Sequence, residues 1–313
     1  MSRAGAVYPA SRVTLREVGL RDGLQLVKRF PSTTAKTEWI HREAAAGVKY
    51  FEIGSFLPVN RMPQFADIHA MIGLCDELGV HSAALALNER GAMDAVKTAA
   101  AEIVNVVSAT EEHSQANMRR SREAAISLVA KTAALAAKAP HKPLVQAGIA
   151  MAFGCSITGA VDPDDVVRLA IACVEAGADL IGLADTVGFA GPDQIADMTA
   201  RTRAAVGDIP VSVHLHDTRG MGVANASAAL DAGARILDGS LGGLGGCPFA
   251  PGATGNVVFE DLVYLCERKG FATGIDLEKL VAVREIAAVE MPDEPLYGAL
   301  ASAGVPKLMA WRA

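Results

Sequence analysis

Eight short β-prone runs alternate with helical patterns along this chain, and no other feature narrows its fold as much. The runs cover residues 13–18, 48–55, 80–87, 102–107, 143–151, 179–183, 210–218 and 235–238. Most are continuously apolar, as strands covered on both faces are. The helical stretches between them carry clear punctuation. Ser32 reads as an N-cap and Gly47 as a stop; another helix follows Pro63, and one begins near Asn88. An alanine-rich helix is expected over about 117–138, with others after Asp162-Pro163 and after Gly191-Pro192, and at about 221–232 and 259–269. A further helix starts near Asp276. Such alternation predicts an α/β fold with a parallel sheet wrapped in helices, and eight units favour a closed (β/α)8 TIM barrel. An open doubly wound sheet would usually show G-x-G-x-x-G after the first strand; here that turn is Arg21-Asp22-Gly23. The expectation is one domain over 1–313, with the barrel at about 13–274 and an extra C-terminal helical segment at 275–313. No low-complexity linker divides it.

Composition limits what the fold can do. The net charge of −6 and the absence of a basic block argue against a nucleic-acid partner or an anionic membrane surface. The cysteines, Cys75, Cys155, Cys173, Cys247 and Cys266, are scattered with no C-x-x-C pair, which suits reduced thiols rather than a disulfide framework. The N-terminus has no apolar signal core, and no apolar run is long enough to span a bilayer. These features predict a soluble, cytoplasmic protein. An apolar C-terminal helix points to a homo-oligomer, a dimer or larger.

In a barrel of this kind functional groups gather where strands end, and the polar residues of this chain lie there. Arg21 and Asp22 follow the first run, Glu52 and Ser55 end the second, and Asp185 ends the sixth. The seventh, Pro210-Val-Ser-Val-His-Leu-His-Asp-Thr218, ends in His214 and His216. Residues two apart in a strand point the same way, so the two imidazoles converge. On spacing alone the pair fits a metal clasp, or a helix cap beside a satisfied core histidine. With Asp22 as a carboxylate and Asn256 as an amide, the set would be a mixed N/O site suited to Mg²⁺ or Mn²⁺, with Co²⁺ or Zn²⁺ also able to enter. An open position would let the metal serve as Lewis acid and template.

A second informative stretch is Gly242-Gly-Leu-Gly-Gly-Cys-Pro-Phe-Ala-Pro-Gly252. Its glycines allow unusual backbone angles and its prolines restrict them, as in a lid with a defined closed form. Cys247 sits at its tip. A thiol there can donate a proton to a carbanion near neutral pH, or act as a nucleophile, although no His–Cys dyad emerges from the spacing. The other four cysteines read as structural.

Several stretches together resemble 3-hydroxy-3-methylglutaryl-CoA lyase, within the barrel metallolyase superfamily that also contains isopropylmalate and homocitrate synthases. They are Glu17-Val-Gly-Leu-Arg-Asp-Gly-Leu-Gln25, Glu52-Ile-Gly-Ser-Phe56, Pro63-Gln64, Asp185-Thr-Val-Gly188, His214-Leu-His-Asp-Thr218, the glycine loop, Gly255-Asn256 and Glu260-Asp-Leu-Val-Tyr264. The Arg-Asp and His-x-His motifs belong to the whole superfamily; the Gly-Gly-Cys-Pro loop marks the lyase branch and counts against a condensing synthase. The resemblance implies Asp22, His214, His216 and Asn256 as metal ligands, with Mg²⁺ or Mn²⁺ bound. It implies that Arg21 stabilises an enolate oxygen, that Cys247 does acid/base work, and that Glu52 and Asp185 support the site. The reaction would be retro-Claisen cleavage of an acyl-CoA substrate, a 3-hydroxy-acyl-CoA, to acetyl-CoA and a keto acid. For the parent family the keto acid is acetoacetate, from leucine degradation. Asp185, or Asp22 through water, would take the hydroxyl proton.

The chain departs from the family pattern at three places on the same rim. Arg219-Gly-Met221 replaces Tyr-Gly-Gln, Leu26-Val27 replaces Asn-Glu, and Leu57-Pro-Val-Asn-Arg61 replaces a segment with Val-Ser-Pro-Lys. Arg21, Gln25, Ser55 and Arg219 are the expected substrate contacts, with Arg219 binding a carboxylate or a CoA phosphate, or capping a helix surface. Substrates such as citramalyl-CoA or a longer branched 3-hydroxyglutaryl-CoA stay open, as does a non-catalytic acyl-CoA-binding barrel.

Overall fold

The computed structural model describes residues 2–245 and 255–307. Eight parallel strands close on themselves: β1 (Thr14–Glu17), β2 (Tyr50–Ser55), β3 (His81–Leu85), β4 (Glu102–Ser108), β5 (Leu144–Ala150), β6 (Leu180–Asp185), β7 (Val211–Leu215) and β8 (Ile236–Gly239). Each pairs with the next, and β1 pairs with β8. All eight expected strands are present, and the fold is the (β/α)8 barrel.

The helices are α1 (Arg3–Val7), α2 (Thr33–Ala46), α3 (Ile68–Glu77), α4 (Glu89–Ala95), α5 (Glu111–Met118) and α6 (Arg122–Lys138). They continue with α7 (Pro163–Glu175), α8 (Pro192–Val206), α9 (Gly222–Asp231), α10 (Phe259–Arg268), α11 (Leu277–Glu290) and α12 (Ala299–Ala303). Ser32 caps α2 by accepting from the Ala35 N–H, and Gly47 ends it in the left-handed conformation, as the sequence predicts. The helix expected over 117–138 is α6, which starts later at Arg122, and a separate α5 (Glu111–Met118) that the sequence reading lacked precedes it. Arg119 turns left-handed at φ 54° and ends α5, and the Ser121 side chain caps a new start at α6 by accepting from Ala124 N. Those two polar signals outweigh the alanine-rich periodicity. The short α1 also escapes the sequence reading. It lies under the barrel, where Ala4 and Tyr8 pack on Leu144, Leu180 and Ile236. The apolar side of α11 (Leu277, Leu280, Val283, Ile286) is buried within the chain. None of the described helices is long and apolar enough to cross a membrane.

The site-bearing end of the barrel is anchored from behind. After β1 the chain winds through one π-helical turn, Gly19–Gly23, in which the N–H groups of Arg21, Asp22 and Gly23 all reach the Val18 carbonyl. Glu17 accepts from Gly19 N within that turn and from Leu241 N, 3.2 Å away in the segment after β8. Glu260 accepts from Gly242 N at 3.0 Å and pairs with Arg284 at 2.7 Å. Two buried carboxyl groups thus tie down both segments that carry site residues. Burial, with Glu260 nearby, pushes Glu17 up from 4.5 to about 8. Burial also raises Glu43 and Glu260.

A carboxyl that binds its proton more tightly in the fold than in the unfolded chain adds stability that is complete below its unfolded value. That contribution is lost as pH rises through the folded one. The melting temperature should therefore fall between about pH 5 and about pH 9. Glu17→Gln, which keeps the acceptor and removes the titration, should flatten that fall in a series of thermal melts. An unchanged slope would exclude Glu17 as its source.

Candidate metal centre

His214 and His216 stand at the C-terminal end of β7. In a parallel pair, residues level with one another share a face, and His214 is level with Asp238 of β8. Beyond β8 the chain returns alongside β7: Asp217 N donates to the Gly255 carbonyl at 2.9 Å, and Val257 N to the Leu215 carbonyl at 3.1 Å. This backbone pairing sets Asn256 against His216. Asp22 arrives from the π-helical turn. The closeness of the segments demands glycine at Gly245. A Cβ there would lie 2.5 Å from Asn256 Nδ2 and 2.9 Å from the Asp22 carbonyl oxygen, and φ is +103°.

Side-chain atoms of Asp22, His214 and His216 converge within 4.8 Å of one another. His214 Nε2 is 3.2 Å from His216 Nε2, and Asp22 Oδ2 lies 3.7 and 3.6 Å from the two nitrogens. Asn256 donates through Nδ2 to Asp22 Oδ2 at 2.9 Å and to the Leu244 carbonyl at 3.0 Å, while its buried Oδ1 has no partner among the described residues. Two imidazole nitrogens that face each other beside a carboxylate, with an orphaned amide oxygen adjoining, fit a divalent cation of the borderline or hard kind. Burial alone would raise the Asp22 carboxyl, but Arg21, His216 and His214 outweigh it and hold it well below the ordinary range. The group is an anion at any working pH, as a metal ligand must be.

A polar frame beneath this cluster went unread in the sequence. Arg16, on β1, points into the barrel and is 4% exposed. Its Nε and Nη2 clasp Asp238 at 2.7 and 2.9 Å. Nη1 donates to Glu102 at 3.0 Å and Gln146 at 2.6 Å, and Nη2 also reaches Ser212 at 3.4 Å. Burial opposes ionisation of Asp238, yet Arg16 and then His214 prevail and hold it at about 2. Asp238 Oδ2 in turn lies 3.2 Å from His214 Nδ1. An anion there makes Nδ1 the protonated nitrogen and leaves the Nε2 lone pair aimed at the cluster. The inward parity of Asp238 on a short strand was the available signal. Arg16 offered none, since a charged residue in a four-residue strand gives no hint of its partners.

Arg21 is brought to the same place. Its guanidinium pairs with Glu52 at 2.7 Å, contacts Asp22, and reaches Gln25 at 3.2 Å. Burial raises the Glu52 carboxyl despite this pairing. Ser55 follows an irregularity in the β2–β3 register and directs its hydroxyl to the Leu85 carbonyl at 3.4 Å. Asp185 spends its two oxygens on Phe189 N and Ala190 N, at 2.9 and 3.1 Å, and so shapes the segment after β6. Arg219 bonds the Val187 and Gly188 carbonyls at 2.6 and 3.1 Å and covers the Phe189 ring at 4.5 Å. Cys247 lies outside the described residues. Cys155 is tied into a turn by Thr110 Oγ1 and Ile157 N.

The Asp22–His214–His216 cluster opens, with Arg21, Gln25 and Glu52, on a cavity of about 260 Å³ inside the barrel mouth, which Ser55, Asp185 and Arg219 do not line. One half is polar, with Arg21, Asp22, Glu52, His214, His216 and Asp238; the other is largely apolar and is formed by β3 to β6.

Known proteins share this architecture. A family model described as HMGL-like matches residues 12–287. A hydroxymethylglutaryl-CoA lyase of Bacillus subtilis is 37% identical over 276 residues, 88% of this chain and 91% of that protein. An (R)-citramalyl-CoA lyase of Chloroflexus aurantiacus is 37% identical over 305 residues, 93% and 95% of the two chains. Among solved structures, an HMG-CoA lyase from Acinetobacter baumannii, in complex with coenzyme A and 3-methylmalate, superposes with a TM-score of 0.86 at 32% identity and covers 96% of this chain and 98% of its own. With the barrel, the cluster and these relatives in agreement, the chain belongs to the HMGL-like family of carbon–carbon lyases.

Proposed function

We propose that the protein cleaves 3-hydroxy-3-methylglutaryl-CoA to acetyl-CoA and acetoacetate by a retro-Claisen reaction that depends on a divalent metal. The observation that carries this reading is the convergence of Arg21 with Asp22, His214 and His216 on one cavity. Asp22, His214 and His216 would hold the ion, Mg²⁺ or Mn²⁺, with Asn256 completing the set. A bound ion of this kind lowers the pKa of a substrate hydroxyl and orients a chelating acid.

The remaining work falls to the chain's own groups. Breaking the C2–C3 bond turns the hydroxyl carbon into a ketone and leaves the electron pair on the thioester as an enolate. Arg21 is positioned by Glu52 to pair with the developing oxyanion in a site removed from water. We assign the hydroxyl proton to Glu52 rather than Asp185. Glu52 lines the cavity and Asp185 does not, while burial raises both carboxyl groups. As Arg21 turns its charge toward the enolate oxygen, Glu52 loses compensation and becomes more basic as the bond breaks. Asp185, with both oxygens on backbone N–H groups, positions the segment after β6. Cys247 is the acid that protonates the enolate carbon in this reading. A second reading, cleavage of citramalyl-CoA to acetyl-CoA and pyruvate, draws on the (R)-citramalyl-CoA lyase, which aligns over 93% of this chain.

Acetyl-CoA release from the two substrates decides between these readings. Activity should vanish with a chelator and return with Mg²⁺ or Mn²⁺; full turnover in excess chelator would refute the metal dependence. Asp238→Asn should weaken Mn²⁺ binding about 10- to 100-fold by calorimetry, because it removes the anion that fixes His214. An affinity equal to wild type would leave Asp238 without that role. In kinetic pH profiles of kcat/KM, Glu52→Gln should abolish the acidic limb, whereas Asp185→Asn should lower the plateau and keep the limb. The reverse pattern would return the base to Asp185.

A further inference from the structure

The apolar half of the cavity is lined by Leu85, Leu87, Val104 and Val106, followed by Gly148 and Ala150 on β5. Eight-stranded barrels ordinarily fill such inward positions with bulky branched side chains. Here β5 offers nothing larger than a methyl above Gln146.

Two glycines lie on this wall, and only one is explained by packing. At Gly182 a Cβ would come within 2.4 Å of Gln146 Nε2 and 3.2 Å of Ser212 Oγ, so its absence makes room for the polar frame. Gly148 has no such neighbour. The nearest atoms to an added Cβ are the Asn105 carbonyl oxygen at 3.8 Å and Val104 Cγ1 at 3.9 Å, both at ordinary contact distance. Its backbone is not among those with positive φ. A glycine inside a strand is destabilising relative to alanine. What Gly148 contributes in return is space beside Val106 and Gly182, its partners in the sheet.

A second observation points to an occupant. His113, at the start of α5, lines the same cavity and is 3% exposed. Its Nδ1 lies 2.8 Å from Ser108 Oγ. With the Ser108 hydrogen directed to Nδ1, while its oxygen accepts from Thr110 N, the ring proton sits on Nε2. Nε2 has no hydrogen-bond partner among the described residues. Burial lowers the pKa of His113, so the group is a neutral N–H donor.

We propose that this half of the cavity is a socket for the C3 branch of the substrate, that it accepts an alkyl branch longer than methyl, and that Gly148 sets its depth. The inference rests on the retro-Claisen reading above. In a 3-hydroxyglutaryl thioester, three arms of C3 carry oxygen and belong with the polar groups, that is the cation ligands, Arg21 and His113. The branch is the one arm made of carbon alone, and the carbon-lined wall is its complement. His113 gives the adjoining carboxymethyl arm a neutral donor.

The test compares 3-hydroxy-3-methylglutaryl-CoA with its 3-butyl analogue. It also measures binding of 3-methylglutaryl-CoA and 3-butylglutaryl-CoA, which lack the hydroxyl and are not cleaved. Wild type should process the butyl substrate with kcat/KM within about tenfold of the methyl one, a methylene in an apolar pocket being worth about tenfold or more. Gly148→Leu should lower the butyl-to-methyl ratio by about 30-fold or more, and Gly148→Ala should shift it less in the same direction. A wild-type preference for methyl above about a hundredfold, or a ratio unchanged in both variants, would overturn the socket. Selective loss of 3-butylglutaryl-CoA binding in the variants, without cleavage of either hydroxy substrate in wild type, would support the socket and sink the lyase reading alone.

Discussion

Arg16 occupies a place where a barrel of this size commonly holds hydrocarbon. A guanidinium taken out of water costs several kcal/mol unless its donors are met and its charge is balanced, and here every N–H has an acceptor. That requirement propagates outward. It holds Asp238 anionic, and Asp238 decides which nitrogen of His214 is free to meet a cation. It also holds Glu102, which receives Tyr8 Oη at 2.7 Å and lies 3.2 Å from His81. A hydrogen-bonded path therefore runs from α1 under the barrel to the cluster at its mouth. Such networks are stabilising only when complete. Removing one partner leaves a buried charge exposed to its neighbours, so the frame must be kept whole or replaced whole.

A different constraint governs the rim. Asp22, Arg21 and Asn256 belong to segments without regular strand structure, and such segments move unless something holds them. Glu17 and Glu260 supply the hold by accepting from backbone N–H groups on both sides of the mouth. The two tasks are separated in space. Carboxyl groups behind the mouth fix the backbone, while those within it face the substrate. Asp185 belongs with the first set, although in the sequence it looks like a member of the second.

That distinction shows where sequence reading succeeds and where it stops. Strand count, strand ends and the His-x-His parity depend on local periodicity and are legible in the chain, as are Asp22, His214 and His216 as a group. Asn256 was legible only as an amide near the last strand; its place beside His216 comes from a backbone return that no local pattern encodes. Asp185, Ser55 and Arg219 have the residue types of a site, but their partners are carbonyls and N–H groups many positions away. Arg16 and Asp238 were missed for the converse reason. A charge inside a strand is unremarked until the barrel closes and four other strands bring it acceptors. The boundary between α5 and α6 turned on one left-handed residue and one serine cap, which weigh little beside the alanine-rich periodicity that follows them.

The division of the cavity has a chemical logic. Carbon–carbon cleavage of a tertiary alcohol demands that oxygen atoms be held in fixed relation to one another, so the polar half can tolerate little change. Each of its members is tied to another by a charge-assisted contact. The apolar half answers only to the size of the group it receives. Leu85 ends β3, Leu87 lies two residues past it, and Val104 and Val106 are on β4, all with hydrocarbon side chains that make no hydrogen bond to the frame. A side chain there can lengthen or shorten without disturbing Arg16, Asp238 or the histidines. Altered substrate range is therefore compatible with unaltered chemistry along this wall, and most of all at Gly148, where no side chain needs to be displaced first.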